Sequence, residues 1–156
     1  MTMKTVIENF YKAFNDRDAD TMVSFYHDDI VFEDPAFGTL HGERAKNMWR
    51  MLSNAQKGKP FKIEVSDITE DGNIASAHWE AHYNFSKTGR KVHNKIDAVF
   101  TFKDGKIVKH IDTFSLHKWA SQAIGFKGWL LGGTSFFKSK LQQQTNHLLD
   151  KFESNS

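Results

Sequence analysis

The spacing of apolar residues changes at residue 61, and this change constrains the fold more than any other feature of the sequence. Before it, apolar side chains such as Val6 and Phe10 recur every three or four positions, which is the period of a helix. After it they alternate with polar residues, so that Trp79 and Tyr83 share one face of a predicted strand. Helices followed by alternating strands predict an α+β domain in which helices pack on one face of a curved antiparallel sheet.

The helical part divides into three segments with one short strand between them. The helices are predicted around residues 6–14, 22–26 and 45–52, and the strand over residues 30–33, just before Pro35. Four longer strands follow, over residues 61–68, 74–85, 92–102 and 107–116.

The C-terminal part returns to a helical pattern. A helix that Gly125 ends is followed by the apolar stretch "FKGWLLGG", residues 126–133. We interpret this stretch as a corner between helices or a dimer contact; the alternative is a lid over a pocket, with glycine hinges. From Thr134, a candidate N-cap, an amphipathic closing helix is predicted. Its apolar face contains Phe137, Leu141, Leu148 and Phe152.

Length and composition limit the classes of function. A chain of 156 residues suits one domain, and a net charge of +2 is too small for the basic surface that binds nucleic acid. The chain has no cysteine, which favours a reducing compartment. Charged residues interrupt the N-terminal apolar ones, and no stretch approaches the roughly 18 apolar residues of a membrane span. We therefore expect a cytoplasmic protein that binds neither nucleic acid nor membrane.

The stretch "AFNDRDADTMVSFYHDDIVFEDP", residues 13–35, resembles the nuclear transport factor 2-like superfamily, in its ketosteroid isomerase and polyketide cyclase branch. The resemblance implies a cone-shaped α+β barrel enclosing an apolar pocket with polar groups at its floor. It assigns residues 1–120 to this domain and residues 121–156 to a C-terminal helical extension of it. Because this fold hosts both enzymes and binding proteins, it does not define a reaction.

The resemblance also implies candidate catalytic residues. Asp34 matches the proton-shuttling aspartate of ketosteroid isomerases. The oxyanion donors of those enzymes are missing, because Phe10 stands at the tyrosine position and Asp97 alternates away from the pocket. On the last strand, His110 and Asp112 share the inward face, and Asp112 resembles the acid/base aspartate of polyketide cyclases.

Each of these residues also has a structural interpretation. Asp34 precedes a proline, and Asp-Pro is an ordinary turn pair in which the carboxylate bonds the local backbone. His110 and Asp112 could equally form a buried polar pair that orders the sheet.

Eight aromatic residues are candidates for an apolar ligand site, although a purely structural core is the simpler interpretation. They are Phe10, Phe14, Tyr26, Trp49, Trp79, Tyr83, Phe100 and Phe114. On the opposite face, His78, Glu80 and His82 follow one another at every second position. A metal site there is conceivable, but we expect a solvated or dimer-facing polar stripe and no resident metal or cofactor.

The sequence therefore predicts a homodimeric pocket protein for a small hydrophobic ligand. In the first hypothesis it is a cofactor-independent isomerase or cyclase acting on a small hydrophobic carbonyl compound, with Asp34 as the base and His110 and Asp112 as its partners. In the second it is a non-catalytic binding module, in which the same pocket holds an apolar ligand and the outer sheet face forms a homodimer.

Overall fold

The structure, a computed structural model, describes residues 1–155. Three helices precede most of the sheet: α1 (Met3–Asn15), α2 (Ala19–Ser24) and α3 (Glu43–Ala55). The side chains of Thr2 and Asp18 accept hydrogen bonds from the first turns of α1 and α2. Each helix buries one apolar stripe, as the helical period predicts.

The second helix was predicted too long. It ends at Ser24, and Tyr26 instead begins a strand, where it pairs with Ile107. The short strand predicted over residues 30–33 is correspondingly the centre of a nine-residue strand, Tyr26–Asp34. The side-chain spacing around Tyr26 fits either element, and the distant pairing partner decides between them.

Six strands form one sheet: β1 (Tyr26–Asp34), β2 (Gly38–His41), β3 (Phe61–Asp71), β4 (Ile74–Asn84), β5 (Lys91–Lys103) and β6 (Lys106–Thr113). Their order is β2-β1-β6-β5-β4-β3. The predicted meander from β3 to β6 is antiparallel throughout, whereas β1 pairs with β6 in parallel. The sequence did not predict β2, which forms a hairpin with β1 through Pro35 and Gly38.

The alternation along β4 and β5 separates two faces of the sheet. Ala77, Trp79 and Ala98 are buried on the inner face, where α1 and α3 contribute to the main core. Asp97 lies on the outer face with its side chain 82% exposed, as its place in the alternation predicts. The α+β fold with helices on one face of a curved, mostly antiparallel sheet is therefore confirmed.

Three C-terminal helices complete the chain: α4 (Leu116–Ile124), α5 (Phe126–Leu131) and α6 (Ser135–Ser154). Gly125 ends α4 and Thr134 caps α6, both as predicted. The predicted division at residue 120 falls inside α4, and the division stays a prediction. Within α6 the apolar face is displaced from the predicted one, because Leu149 is fully buried while Leu148 is 46% exposed.

The glycines of the apolar stretch allow α5 to pack closely on α4. A Cβ at Gly128 would lie 2.0 Å from the backbone oxygen of Ala120, and one at Gly132 would lie 2.7 Å from the Ala120 Cβ. The stretch therefore forms a tightly packed corner between helices. No helix within residues 1–155 is both long and apolar enough to cross a membrane.

Candidate functional site

His110 and Asp112 form a hydrogen-bonded pair inside the protein. They lie two residues apart on the inner face of β6, where His110 is 0% and Asp112 4% exposed. His110 Nε2 and Asp112 Oδ1 are 2.9 Å apart, and Trp79 Nε1 donates to the same oxygen at 3.2 Å. The inward orientation that the family resemblance implied for both residues is thus present, and the buried carboxylate has two hydrogen-bond partners.

The hydrogen bonds continue from His110 to two further aromatic side chains. Tyr26 Oη lies 2.7 Å from His110 Nδ1, and Trp49 Nε1 donates to Tyr26 Oη at 2.8 Å. If the imidazole proton is on Nε2, Tyr26 donates to Nδ1 and His110 donates to Asp112, so both ring nitrogens of His110 and the hydroxyl group of Tyr26 are satisfied. This continuous arrangement fixes the His110 ring and therefore the position of Asp112.

The predicted aromatic lining packs mainly on itself and on His110. Phe100 and Trp49 lie against the His110 ring, with centroid distances of 4.4 and 6.0 Å. Six of the eight predicted lining residues are buried in the main core, namely Phe10, Phe14, Tyr26, Trp49, Trp79 and Phe100. Tyr83 and Phe114 are only partly buried. A ligand would need these core side chains to move, and their assignment to ligand binding stays a prediction.

Asp34 ends β1 and organises the turn that follows. Its Oδ1 accepts hydrogen bonds from the backbone N–H groups of Ala36 at 2.9 Å and Phe37 at 2.6 Å. This is the local bonding expected of an aspartate before proline, so the structural interpretation of Asp34 is present in the fold. This bonding is compatible with a catalytic role for Asp34, because the turn uses only one oxygen of the carboxylate.

Helix α6 holds the same turn from outside. Gln142 Nε2 donates to the carbonyl oxygen of Pro35 at 3.1 Å, and Thr145 Oγ1 donates to that of Ala36 at 2.8 Å. Asn146 Nδ2 donates to the third carbonyl, that of Phe37, at 2.9 Å. The C-terminal extension therefore packs on the Asp34 turn of its own chain and fixes its backbone.

Asp34 and Asp112 line one pocket of about 300 Å³. The parallel pairing of β1 and β6 brings them together, since Glu33 is paired with Ile111 and the two aspartates are the next residues along. Neighbouring strands are only about 4.8 Å apart. Lys138 and Gln142 of α6 complete the opposite wall.

The electrostatics of the pocket raise the pKa of Asp34 toward neutrality. Burial raises its pKa to about 7, and the nearby Asp112 carboxylate contributes to the increase despite the opposing hydrogen bonds from Phe37 and Ala36. Asp34 and Asp112 both accept hydrogen bonds through Oδ1. Within residues 1–155, neither Oδ2 accepts a hydrogen bond, so each carboxyl group keeps one oxygen for a ligand.

Tyr11 has a buried hydroxyl group without a partner among the described residues. The side chain is 1% exposed, its ring packs 5.1 Å from that of Trp79, and burial together with the Asp112 charge raises its pKa well above the ordinary value. A buried hydroxyl group without a hydrogen bond costs about 1–3 kcal/mol. The resemblance puts Phe10 at the tyrosine position and Tyr11 one position away, on a different face of the helix, so Tyr11 was not among the predicted site residues.

A second group of polar side chains lies on the outer sheet face. Glu80 Oε2 is 2.7 Å from His78 Nε2 and Glu80 Oε1 is 2.6 Å from His93 Nε2. These hydrogen bonds lower the pKa of Glu80 to about 2. The sequence predicted the stripe of His78, Glu80 and His82 but did not include His93. His93 belongs to β5, and its ring stacks on that of His82 with a centroid distance of 3.9 Å.

Comparisons with known proteins bear on the family and the fold. A family profile described as SnoaL-like domain matches residues 7–110. A search among curated proteins gives no match. The solved structure of an LEH-like epoxide hydrolase of M. tuberculosis is 24% identical to this chain, with a TM-score of 0.61. The match covers 82% of this chain and 89% of the hydrolase chain.

Two further solved structures have the same fold. IdmH, a polyketide cyclase candidate from Streptomyces antibioticus, is 21% identical with a TM-score of 0.62, and the match covers 76% of this chain and 96% of IdmH. A Catenulispora acidiphila protein with a ketosteroid isomerase-like fold is 11% identical with a TM-score of 0.64, covering 78% and 94% of the two chains. At these identities the structural likeness establishes the fold alone.

Proposed function

The chain belongs to the SnoaL-like domain family, and we propose that it binds a small hydrophobic carbonyl compound in the Asp34–Asp112 pocket and catalyses proton transfer on it. The observation that carries the proposal is the pair of carboxyl groups in one pocket, each with one oxygen free of hydrogen bonds from the described residues. A volume of about 300 Å³ suits a small ligand.

Asp34 is the proton carrier in this proposal. With a pKa of about 7, its carboxyl group exists in both protonation states near neutral pH. It removes a proton from the carbon next to the substrate carbonyl and returns it to another carbon, so the net reaction is an isomerisation or the proton-transfer step of a cyclisation. No cofactor is needed for these steps.

His110 and Asp112 are the partner pair in the proposed mechanism. The Asp112 carboxylate, oriented by His110 and Trp79, helps to raise the pKa of Asp34 and supplies a fixed oxygen for a polar group of the ligand.

The test is turnover of a panel of unsaturated ketones by the wild-type protein and by Asp34→Asn. Asparagine keeps the Oδ1 acceptor for Ala36 and Phe37, so the turn survives while the proton carrier is lost. We expect turnover to fall by at least about 100-fold. Asp71→Asn, at the exposed end of β3, is the matched control and keeps the wild-type rate. Equal rates for Asp34→Asn and the wild type would contradict the proposal.

A second candidate is a dimeric binding module without catalysis. It is supported by large exposed apolar side chains at the corner of α5 and α6, a surface that a second copy of the chain would cover. These side chains are Phe126, Trp129, Leu130, Leu131 and Phe136. Ligand binding without turnover, together with a dimer in sedimentation equilibrium that Leu130→Ser dissociates, would favour this candidate over the enzyme.

A further inference from the structure

The outer face of the sheet brings three metal-ligating side chains together. Glu80 and His82 belong to β4 and His93 to β5, and one ligand atom from each lies within 4.8 Å of the other two. The register explains this, because His82 is paired directly with His93 and Glu80 lies two residues before His82 on the same face. Directly opposed residues have Cβ atoms about 5 Å apart, which is a suitable spacing for side chains that share an ion.

The geometry needs little adjustment to accept an ion. Glu80 Oε1 is already 2.6 Å from His93 Nε2, and the His82 and His93 rings lie nearly parallel. The side chain of Glu80 is 28% exposed, that of His93 41% and that of His82 40%. Rotations that move these atoms by about 1 Å would allow metal–ligand distances near 2.0–2.2 Å.

Neighbouring groups hold the ligands in place. His78 Nε2 lies 2.7 Å from the other oxygen of Glu80, and Glu64 Oε1 lies 3.4 Å from His82 Nε2. The backbone N–H of His93 donates to Gln122 Oε1 at 2.6 Å. Such outer contacts orient first-sphere ligands and strengthen metal binding.

We propose that Glu80, His82 and His93 form a binding site for a divalent transition-metal ion of the Zn²⁺ class. Two imidazoles and one carboxylate are a ligand set that Zn²⁺ accepts, whereas Mg²⁺ and Ca²⁺ prefer oxygen ligands alone. His82 and His93 also line an open depression of about 420 Å³, so water completes the coordination. The site lies on the sheet face opposite to His110 and Asp112, and it does not depend on the proposed function.

Titration calorimetry of the metal-free protein with Zn²⁺ tests the site. We expect one ion per chain with a dissociation constant in the micromolar range and no measurable binding of Mg²⁺. His93→Ala and His82→Ala should each weaken Zn²⁺ binding by at least about tenfold. His147→Ala is the matched control, since His147 is exposed on α6 outside the cluster, and it should bind as the wild type does.

Imidazole NMR resonances provide the second measurement. Zn²⁺ should shift the ring signals of His82 and His93 and leave that of His147 unchanged. Failure of the wild type to bind Zn²⁺ at about 100 μM, a concentration well above the expected micromolar dissociation constant, would overturn the proposal. An equal loss in His147→Ala, or equal binding of Mg²⁺, would also overturn it. Thermal melting without metal checks that each variant is folded.

Discussion

Tyr26 and His110 are joined by a 2.7 Å hydrogen bond between Oη and Nδ1, although 84 residues separate them in the chain. The bond joins β1 and β6, which are the first and last strands along the chain and neighbours in the sheet, and both side chains are buried. The parallel pairing of the same two strands places the end of β1, with Asp34, beside the end of β6, with Asp112.

Replacing Tyr26 by Phe should destabilise the protein. The change removes the acceptor for Trp49 Nε1 and the partner of His110 Nδ1, leaving two buried polar atoms unpaired. We expect the free energy of unfolding to fall by about 1–3 kcal/mol in urea denaturation. Tyr11→Phe is the matched control: it loses no hydrogen bond from the described residues, so the free energy of unfolding should stay the same or rise. Equal destabilisation by both changes would refute this account.

Asp112→Asn should lower the pKa of Asp34. The Asp112 charge is one cause of the raised value of about 7, and asparagine removes the charge while keeping an oxygen acceptor for Trp79. The carboxyl ¹³C shift of Asp34, followed by NMR against pH, measures the change. Glu33→Gln should lower the same pKa by less, because Glu33 is a smaller cause. An unchanged Asp34 titration in Asp112→Asn would show that the two carboxyl groups do not interact.

The stability of the protein should depend on the protonation of Asp34. Its pKa is about 7 in the folded state, against an ordinary value of 3.8, so the folded state binds this proton more tightly. Its contribution to stability is therefore complete below about pH 4 and is lost as the pH rises through 7.

Asp34→Asn removes this dependence and keeps the turn. We compare the free energy of unfolding of the wild type with that of Asp34→Asn at each pH. The difference, wild type minus variant, should fall by about 1–2 kcal/mol between pH 5 and pH 8, allowing for the partial exposure of the Asp34 side chain. Urea denaturation at each pH measures the difference. A difference that is constant with pH, or that grows, would be inconsistent with a raised pKa.

Gly128→Ala should disrupt the packing of α5 on α4. The added Cβ would lie 2.0 Å from the Ala120 oxygen, which is backbone and cannot rotate away. We expect a loss of about 1–3 kcal/mol or more in the free energy of unfolding. Gly133→Ala is the control, because the nearest atom to its Cβ would be His117 Cδ2 at 3.9 Å. A fully stable Gly128→Ala protein would mean that the two helices are not packed in this way.

Several features of the protein could be predicted from the sequence because they depend on neighbours along the chain. The period of two identified the four strands of the meander and assigned Asp97 to the outer face. The family resemblance, through the inward position of Phe114, assigned His110 and Asp112 to the inner face. Gly125 and the Thr134 cap located the end of α4 and the start of α6, whereas α5 was not predicted as a helix. The family resemblance derived from residues 13–35 is confirmed, and with it the class of fold.

Only the tertiary structure decided which of these residues meet. The parallel pairing of β1 with β6 brings Asp34 beside Asp112, the register of β4 and β5 brings His93 to Glu80 and His82, and α6 reaches back to hold the Asp34 turn. The same pairing makes Tyr26 part of a strand. Periodicity reports which face a side chain occupies, but its neighbours on that face are set by the strand register and by the packing of segments distant in the chain, for which the local sequence contains no signal.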